Sequence, residues 1–333
     1  MNIFITGIAG FLGSNLAHYL SSKNHTISGN DNFIGGYKDN LSKKFRFYEA
    51  DCCDFKTMKK ILTDVDVVIH CAATAYEGLS VFSPSFVTKN IYEASVSTFS
   101  ASIENKVKKI IFCSSMARYG EQDYPFTEDM QVLPQDPYGI AKVAAEQTLQ
   151  NLCEVHKVDW TILVPHNIVG PRQKYDDPFR NVLSIFLNRM LLKKPAIIYG
   201  DGSQKRCFSY VDDCISCIEE TIENSKTSKE IINIGPDEEF ISIKDLADKC
   251  ANETGFNSQH IYHKARPQEV KFATCSSNKA RKLLGYKTKY SLDKSIELTC
   301  DYIKRRGPKD FDYQLYLEIV NEKTPAAWKN KLI

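Results

Sequence analysis

A chain of 333 residues with 43% hydrophobic and 25% charged residues has the composition of a globular protein that buries a substantial core. Its formal net charge of +2 at pH 7 gives no general attraction to nucleic acid or to an anionic membrane, so any phosphate binding must be local. No apolar run approaches the roughly 18 residues of a membrane span, and no signal peptide precedes the first strand-like run, so a cytoplasmic protein without nucleic-acid or membrane partners is expected.

The first half of the chain alternates strand-like and helix-like segments. In chain order, strands are predicted over residues 2–6, 25–30, 45–50, 66–71, 109–114 and 160–164, and helices over residues 11–22, 81–105 and 136–156. This alternation predicts βαβ units with right-handed crossovers. The expected fold class is therefore α/β, with a Rossmann-type doubly wound parallel sheet covered by helices on both faces.

Beyond about residue 165 the pattern loosens into short strands and helices with several Pro and Gly residues. The sequence predicts a dinucleotide-binding domain over residues 1–165 and a smaller C-terminal substrate-binding lobe, mainly over residues 166–307. Later segments at about 206–235 are expected to rejoin the first domain. Residues 308–333 are rich in charged and aromatic side chains and are predicted to form a helical C-terminal extension.

The eleven cysteines are scattered without the spacing of a disulfide framework, which predicts reduced thiols. Cys214 and Cys217 form a CxxC pair within a helical pattern over residues 211–222. Because no second pair accompanies it, a buried helix face is favoured over a metal or redox role, and no metal site is predicted.

Gly7, Gly10 and Gly13 follow the first strand and open the first helix. Glycine at this spacing permits a tight turn, a close approach of the backbone to a pyrophosphate, and close packing of helix on strand. The first helical turn, which contains Phe11 and Leu12, supplies free N–H groups and a partial positive charge for phosphates. Directly after an N-terminal strand, the pattern predicts a dinucleotide site rather than a turn without a ligand.

Asp31 ends the second predicted strand. A carboxylate at this position accepts hydrogen bonds from the adenosine ribose hydroxyls and repels a 2′-phosphate. No arginine follows it closely, so NAD is favoured over NADP as the cofactor. The alternative, an aspartate that only starts the turn with Asn32, stays open.

Tyr138 and Lys142 lie four residues apart in a predicted helix and therefore on one face. A phenol is a poor base at its free pKa of about 10, and a neighbouring ammonium together with an oxidised nicotinamide ring is expected to lower that pKa. Ser115, at the end of the fifth predicted strand, is placed to hydrogen-bond the same substrate oxygen. Such a Tyr–Lys pair also occurs on solvated helix faces, but its place behind a dinucleotide loop favours the catalytic interpretation.

Taken together, the motifs resemble the extended short-chain dehydrogenase/reductase family, the NAD-dependent nucleotide-sugar epimerases and dehydratases. The matching segments run in family order: Gly7-x-x-Gly10-x-x-Gly13, Asp31-Asn32, His70-Cys71-Ala72-Ala73, Ser114-Ser115-x-x-x-Tyr119-Gly120, Tyr138-x-x-x-Lys142, Pro165-x-Asn167-x-x-Gly170-Pro171, Gly200-Asp201-Gly202, Arg206-x-Phe208 and Arg266-Pro267. The resemblance implies an NAD-dependent enzyme whose substrate is a UDP-, GDP- or dTDP-hexose.

The resemblance also implies roles for individual residues. The implied catalytic residues are Ser115, Tyr138 and Lys142. The implied contacts with NAD are Gly7, Gly10, Phe11, Leu12, Gly13, Asp31, Asn32, Asp51, Cys52, Ala72, Ala73, Asn90, Tyr138, Lys142 and Pro165. The implied contacts with the nucleotide sugar are Met116, Asn167, Arg206 and Arg266, and two arginine forks suit a diphosphate. Relatives of this kind dimerise through helices at about 82–104 and 137–156, so a homodimer is expected.

The type of reaction depends on the motif after the fifth strand. In family dehydratases it carries an Asp-Glu pair, and in UDP-glucuronate decarboxylases it usually carries a Glu, whereas this chain has Met116 and Ala117. The resemblance therefore implies a 4-epimerase, in which Tyr138 takes the proton of the sugar 4-hydroxyl, hydride passes to NAD, and the 4-keto sugar turns before hydride returns. Two alternatives stay open: a nucleotide-sugar C4-dehydrogenase or ketoreductase, and an NAD-sensing regulatory protein without turnover.

Three positions depart from the family pattern or bear on which sugar is bound. Glu269, within Gln268-Glu269, stands where the family commonly has Gly-Asp. Arg118 lies in an unusual form of its motif and is a candidate to face the sugar. Glu77 follows the fourth strand, where the family often contacts the hexose, although a carboxylate in such a loop is more often simply solvated.

Overall fold

The computed structural model describes residues 1–333. The strands are β1 (Asn2–Thr6), β2 (Thr26–Asp31), β3 (Arg46–Glu49), β4 (Val67–His70), β5 (Lys109–Cys113), β6 (Asp159–Pro165), β7 (Ile168–Val169), β8 (Ile197–Tyr199), β9 (Lys205–Arg206), β10 (Ser209–Tyr210), β11 (Glu230–Ile234), β12 (Ile241–Ser242), β13 (Ile261–His263) and β14 (Phe272–Ala273). The α-helices are α1 (Phe11–Ser22), α2 (Phe55–Ile61), α3 (Glu77–Ser80), α4 (Pro84–Thr88), α5 (Ala94–Glu104), α6 (Pro137–His156), α7 (Val182–Leu191), α8 (Val211–Glu223), α9 (Ile243–Thr254), α10 (Asn278–Leu284), α11 (Leu292–Arg306) and α12 (Ala326–Lys329). A π-helical turn, Lys89–Glu93, joins α4 to α5, and short 3₁₀ turns lie at Lys38–Asn40, Met116–Arg118 and Ser225–Thr227.

A seven-stranded sheet forms the centre of the molecule, with the strand order β11-β6-β5-β4-β1-β2-β3. Every neighbouring pair in it is parallel. From β1 the chain adds β2 and β3 on one side of the sheet. It then places β4 on the other side of β1 and adds β5, β6 and β11 beyond it, so the connections that leave β1 and β4 run in opposite directions. This divergence opens a crevice at the carboxyl ends of the strands. The predicted Rossmann-type doubly wound fold is confirmed.

The central strands are buried on both faces, which explains why they appear in the sequence as continuous apolar runs. Successive side chains of a strand point to opposite faces. In β1, Ile3 and Ile5 therefore pack with α1 and α8 in one core, whereas Phe4 packs with α5 and α6 in the other.

The chain returns to the sheet after the smaller lobe has begun. The strand β11 pairs with β6 at the edge of the sheet, and α8 packs into the first core. The smaller lobe has its own core, to which α7, α9 and α11 contribute Phe186, Leu246 and Ile296. Cys214 and Cys217 are 0% and 1% exposed on α8, as predicted, and all eleven cysteines are free.

The helix predicted over residues 81–105 is present as α4, the π-helical turn and α5. The prediction of a helical C-terminal extension is wrong, because α12 is the only helix within residues 308–333. Some of its apolar side chains, among them Trp328, Ile333 and Phe311, pack against the body of the protein, so the segment follows that surface instead of forming a helix of its own. None of the helices combines the length and apolar character that crossing a bilayer requires.

A buried ion pair fixes α6 to the end of β5. Arg118, in the turn after β5, donates from Nε to Glu146 Oε2 at 3.1 Å, and Glu146 also accepts a hydrogen bond from Ser114 Oγ. The side chains of Arg118 and Glu146 are 4% and 3% exposed. The expectation that Arg118 faces the sugar is therefore wrong, because the turn directs its guanidinium onto the carboxylate of Glu146 in α6.

We expect Arg118→Ala to lower the free energy of unfolding by about 3–5 kcal/mol, because it leaves Glu146 buried without its counter-charge. The matched control is Lys108→Ala, which removes an ion pair with Asp66 in which the lysine is 71% exposed. This substitution should lower the free energy of unfolding by less than about 1 kcal/mol. Urea denaturation of both variants measures the difference, and equal losses would contradict the assigned role of the buried pair.

Candidate active site

One cavity of about 430 Å³ lies at the carboxyl ends of the central strands and is lined by residues of both the sheet domain and the smaller lobe. The predicted site residues that line it are Gly7, Gly10, Phe11, Leu12, Gly13, Asp31, Asn32, Asp51, Cys52, Ala72, Ala73, Asn90, Ser115, Met116, Tyr138, Lys142, Pro165, Asn167, Arg206 and Arg266. The structure thus brings these predicted residues together around one space, whereas Arg118, another candidate for the sugar, does not line it.

The glycine loop is shaped by close backbone contacts. Gly7 has a φ of +68°, and a Cβ there would lie 2.9 Å from Ala72 Cα. A Cβ on Gly13 would overlap the carbonyl oxygen of Gly7. Because no side chain fits, the loop lies tightly between β1 and α1, and the N–H groups of the first turn of α1 remain free at the cavity.

A neutral hydrogen-bond network holds Ala72 against this loop. Thr6 Oγ1 accepts from the Ala72 N–H at 3.1 Å and lies 2.7 Å from His70 Nδ1. Ser95 Oγ donates to the Ile91 carbonyl and so accepts from His70 Nε2 at 3.0 Å. Burial lowers the pKa of His70 to about 3, so its ring stays uncharged. The sequence motif contains His70, but its spacing gives no sign of this supporting role.

Asp31 starts a turn, as one interpretation of the sequence expects, and its carboxylate also lies on the cavity wall, where the other interpretation requires it. Its Oδ1 accepts from the Phe33 N–H at 2.7 Å and starts the turn, while Oδ2 accepts from the Ala9 N–H at 2.9 Å and braces the glycine loop. The carboxylate also lines the cavity, and each oxygen can accept a further hydrogen bond. Burial raises the pKa of Asp31, opposed by the hydrogen bonds from Phe33 and Ala9.

Tyr138 and Lys142 lie on the first turns of α6, where Asp136 caps the helix by accepting from the Gly139 N–H at 3.0 Å. Lys142 is 3% exposed and donates from Nζ to the Cys113 carbonyl at 2.7 Å, and burial lowers its pKa to about 8. Burial raises the pKa of Tyr138 well above its ordinary value, although the Ser115 hydroxyl opposes this. The expected lowering of the Tyr138 pKa is therefore not present in the chain alone, because burial dominates and the carboxylates of Glu77 and Asp136 add to the rise, while Arg180 opposes it.

Two arginines reach the other end of the cavity. Arg206 donates from its guanidinium to the carbonyls of Lys205 at 2.8 Å and Lys271 at 3.2 Å. Arg266 donates from Nε and Nη2 to the two carboxylate oxygens of Glu269 at 3.2 and 2.7 Å. The residue that departs from the family pattern, Glu269, thus orients one of the two cationic side chains.

The comparisons with known proteins agree with this geometry. The family model described as the NAD dependent epimerase/dehydratase family matches residues 3–235, which include the glycine loop, Ser115, Tyr138 and Lys142. The chain belongs to this family. The predicted family, enzyme class and NAD cofactor are confirmed by this membership.

Relatives of this enzyme are similar over most of its length. A putative UDP-glucose 4-epimerase of Methanocaldococcus jannaschii is 33% identical over 310 residues, covering 92% of this chain and 99% of the relative. The crystal structure of a Thermotoga maritima UDP-glucose 4-epimerase with UDP-glucose has a TM-score of 0.86 at 32% identity, covering 92% and 99% of the two chains. A Bacillus cereus UDP-glucuronic acid 4-epimerase, in complex with UDP-glucuronic acid and NAD, has a TM-score of 0.85 at 31% identity, covering 92% and 100%.

The cavity of this family member fits its cofactor. A pyrophosphate requires a close backbone approach, and the glycine loop leaves no room for a Cβ on Gly7. The N-terminus of α1 is free beside it, and the carboxylate of Asp31 stands at the end of the neighbouring strand β2. These features favour an adenosine dinucleotide that carries no 2′-phosphate.

Glu77, the first residue of the short helix α3, lines the cavity and is an exposed residue, as the sequence favoured. The surrounding cavity walls, and to a lesser degree Asp136, raise the pKa of Glu77, while Arg206 and Arg266 oppose the shift. The sequence did not show that this carboxylate faces the cavity, because the segment after β4 gives no periodic signal that fixes where its side chains point.

Other cavity residues were also missed by sequence reasoning, among them Arg180, Tyr199 and Trp328. The guanidinium of Arg180 lies 4.9 Å from the ring centre of Tyr76, and its Nε lies 4.0 Å from Asp177 Oδ2. These residues lie in or after the region where the helix and strand pattern weakens, and no motif marks them.

We expect Gly7→Ala to weaken NAD binding at least about tenfold, because a methyl group there collides with the Ala72 backbone and displaces the loop. The matched control is Gly255→Ala, since Gly255 has a similar φ of +64° but nothing within 4 Å of the added atom. Calorimetric titration of the cofactor-free protein with NAD measures the effect. Equal weakening in both variants would show that backbone strain alone, rather than the contact with Ala72, controls binding.

Proposed function

We propose that this enzyme inverts C4 of a nucleotide-activated hexose through a transient 4-keto sugar, with UDP as the favoured nucleotide. The observation that carries the proposal is the turn after β5, which presents Ser115 and Met116 to the cavity beside Tyr138 and contains no carboxylate. Elimination of water requires a proton donor in this turn, whereas epimerisation requires only the transfer of hydride and one proton. The UDP-sugar 4-epimerases to which the chain is similar support the same reaction.

Tyr138 would carry the proton. Its phenolate accepts the proton of the sugar 4-hydroxyl, and the Ser115 hydroxyl orients that same oxygen. When bound, NAD supplies the acceptor of the C4 hydride and a positive ring whose charge opposes the effect of burial on the Tyr138 pKa. Lys142, with a pKa of about 8, is mostly protonated at neutral pH, and its ammonium favours the ionised phenol. After the 4-keto sugar has turned, Tyr138 would return its proton to the 4-oxygen as hydride adds to the opposite face of C4, which gives the other epimer.

The remaining residues would hold the nucleotide while the keto sugar turns. Arg206 and Arg266 suit the diphosphate because each offers several donors in a plane. Glu269 keeps Arg266 extended in the absence of substrate through its two hydrogen bonds. Glu77, on the cavity wall near both arginines, would accept a hydrogen bond from a hexose hydroxyl.

Purified protein incubated with UDP-glucose or UDP-galactose should interconvert the two sugars by NMR, without added cofactor and without net absorbance of NADH. Tyr138→Phe should lower kcat by about 10²–10⁴-fold, because it removes the proton carrier. Tyr92→Phe, at a tyrosine 37% exposed outside the cavity, should leave kcat unchanged.

Two outcomes would replace the proposal. Stoichiometric NADH with release of a keto sugar would indicate a C4-dehydrogenase instead of an epimerase. Tightly bound NAD without conversion of any nucleotide hexose in a panel of UDP, GDP and dTDP sugars would indicate an NAD-sensing protein.

We also propose that the enzyme is a homodimer that pairs α5 and α6 with the same helices of a second copy. Apolar side chains lie open to solvent on this surface: Ile140 is 53% and Val155 is 63% exposed on α6. Ile140→Glu should convert the dimer to a monomer, measured by light scattering, because it places a charge in the apolar contact. Leu133→Glu, at a leucine 43% exposed outside these helices, should leave the dimer intact. A monomeric unmodified protein would contradict the proposal.

A further inference from the structure

The C-terminal segment, residues 308–333, contributes one wall of the cavity. Trp328 and Ile333 line the cavity and are only 3% and 8% exposed. The Trp328 ring packs edge-to-face against Phe179 and Tyr199, with centroids 5.3 and 6.2 Å away. An indole consequently lies at the substrate end of the cavity, although it is far along the chain from every family motif.

Hydrogen bonds attach the C-terminal segment to both sides of the cavity. On the sheet side, the Glu318 carboxylate accepts from the N–H groups of Ser85 and Phe86 at 2.9 and 2.7 Å, at the start of α4. On the side of the smaller lobe, Arg189 of α7 donates to the Leu332 carbonyl at 2.9 Å. With attachments on either side, Trp328 is held in place rather than loosely packed.

The neighbours of Trp328 are residues that the proposed function assigns to the substrate. The Arg266 guanidinium lies 6.0 Å from the Trp328 ring centre and 4.9 Å from that of Tyr199. A Cβ on Gly78, next to Glu77, would lie 3.2 Å from the far edge of the indole. The ring is therefore located between the diphosphate-binding arginine and the loop that faces the hexose.

The relatives described above do not share the whole of this chain. Each is covered over 99–100% of its own length, yet only 92% of this chain is covered. The uncovered share is comparable with the length of the C-terminal segment.

We propose that Trp328 is a substrate-binding residue that determines specificity, its ring forming the wall against which the hexosyl diphosphate binds. This inference rests on the proposed function, because it takes a nucleotide hexose as the ligand. A large rigid aromatic ring at this position limits the size of substituents on the sugar and excludes water from the diphosphate.

The two tryptophans of the chain allow a direct binding experiment. Trp160→Phe leaves Trp328 as the only indole, whereas Trp328→Phe leaves Trp160, which packs in the second core outside the cavity. The NAD-loaded proteins are titrated with UDP-glucose and tryptophan emission is recorded. We expect a saturable change in emission in Trp160→Phe and none in Trp328→Phe.

Steady-state kinetics provide a second measurement that does not depend on the Trp160 substitution. Trp328→Ala should raise KM for UDP-glucose about tenfold with less than about a threefold change in kcat, because the lost contact is made equally before and during the reaction. Tyr316→Ala, at a residue 67% exposed in the same segment, is the matched control and should leave KM unchanged.

The outcomes separate this inference from the proposed function. Unchanged emission from Trp328 under saturating UDP-glucose, with an unchanged KM in Trp328→Ala and intact sugar interconversion, would overturn the role of Trp328 alone. Failure of the unmodified protein to bind or convert any nucleotide hexose would overturn the proposed function and this inference with it.

Discussion

The buried ion pair between Arg118 and Glu146 is a constraint on which the geometry of the proposed catalytic residues depends. Two charges removed from water are tolerated only when each meets its partner at close range, so the pair permits very little freedom between the turn after β5 and the helix α6. That turn carries Ser115, and α6 carries Tyr138 and Lys142. The three side chains come from two separate elements, and the ion pair holds these elements together alongside the hydrogen bond from Lys142 to the Cys113 carbonyl.

The same cavity combines rigid and adjustable polar groups. At the cofactor end, tight backbone contacts around Gly7 and hydrogen bonds to Asp31 leave little room for adjustment. At the substrate end, long side chains such as Arg266 are oriented by other side chains, here by Glu269, and can exchange partners when a ligand arrives. A cofactor that stays bound suits the first arrangement, and a substrate that enters and leaves suits the second.

Sequence reasoning was strongest where one local cause fixes the outcome. Apolar runs predicted the central strands, since parallel strands are buried on both faces, and the three glycines predicted the loop, since only glycine fits there. Sequence reasoning failed where contacts between distant parts of the chain determine how a side chain or segment is placed. The direction of Arg118 depends on a carboxylate that lies on another element, and the pKa of Glu77 depends on Asp136, on two arginines and on cavity walls that come from elsewhere in the chain. The C-terminal segment follows packing against distant surfaces rather than its own helical tendency.

The uncharged state of His70 has a consequence for how the cofactor site responds to acid. A histidine with an ordinary pKa would gain a proton on mild acidification, and Nδ1 could then no longer accept the hydrogen bond of the Thr6 hydroxyl. With its pKa near 3, this ring keeps one tautomer at neutral and mildly acidic pH, with Nδ1 as acceptor and Nε2 as donor. The contact that holds Ala72 against the glycine loop is therefore insensitive to pH in this range, and the response of the loop to acid is left to Asp31, whose carboxylate accepts from the Ala9 N–H.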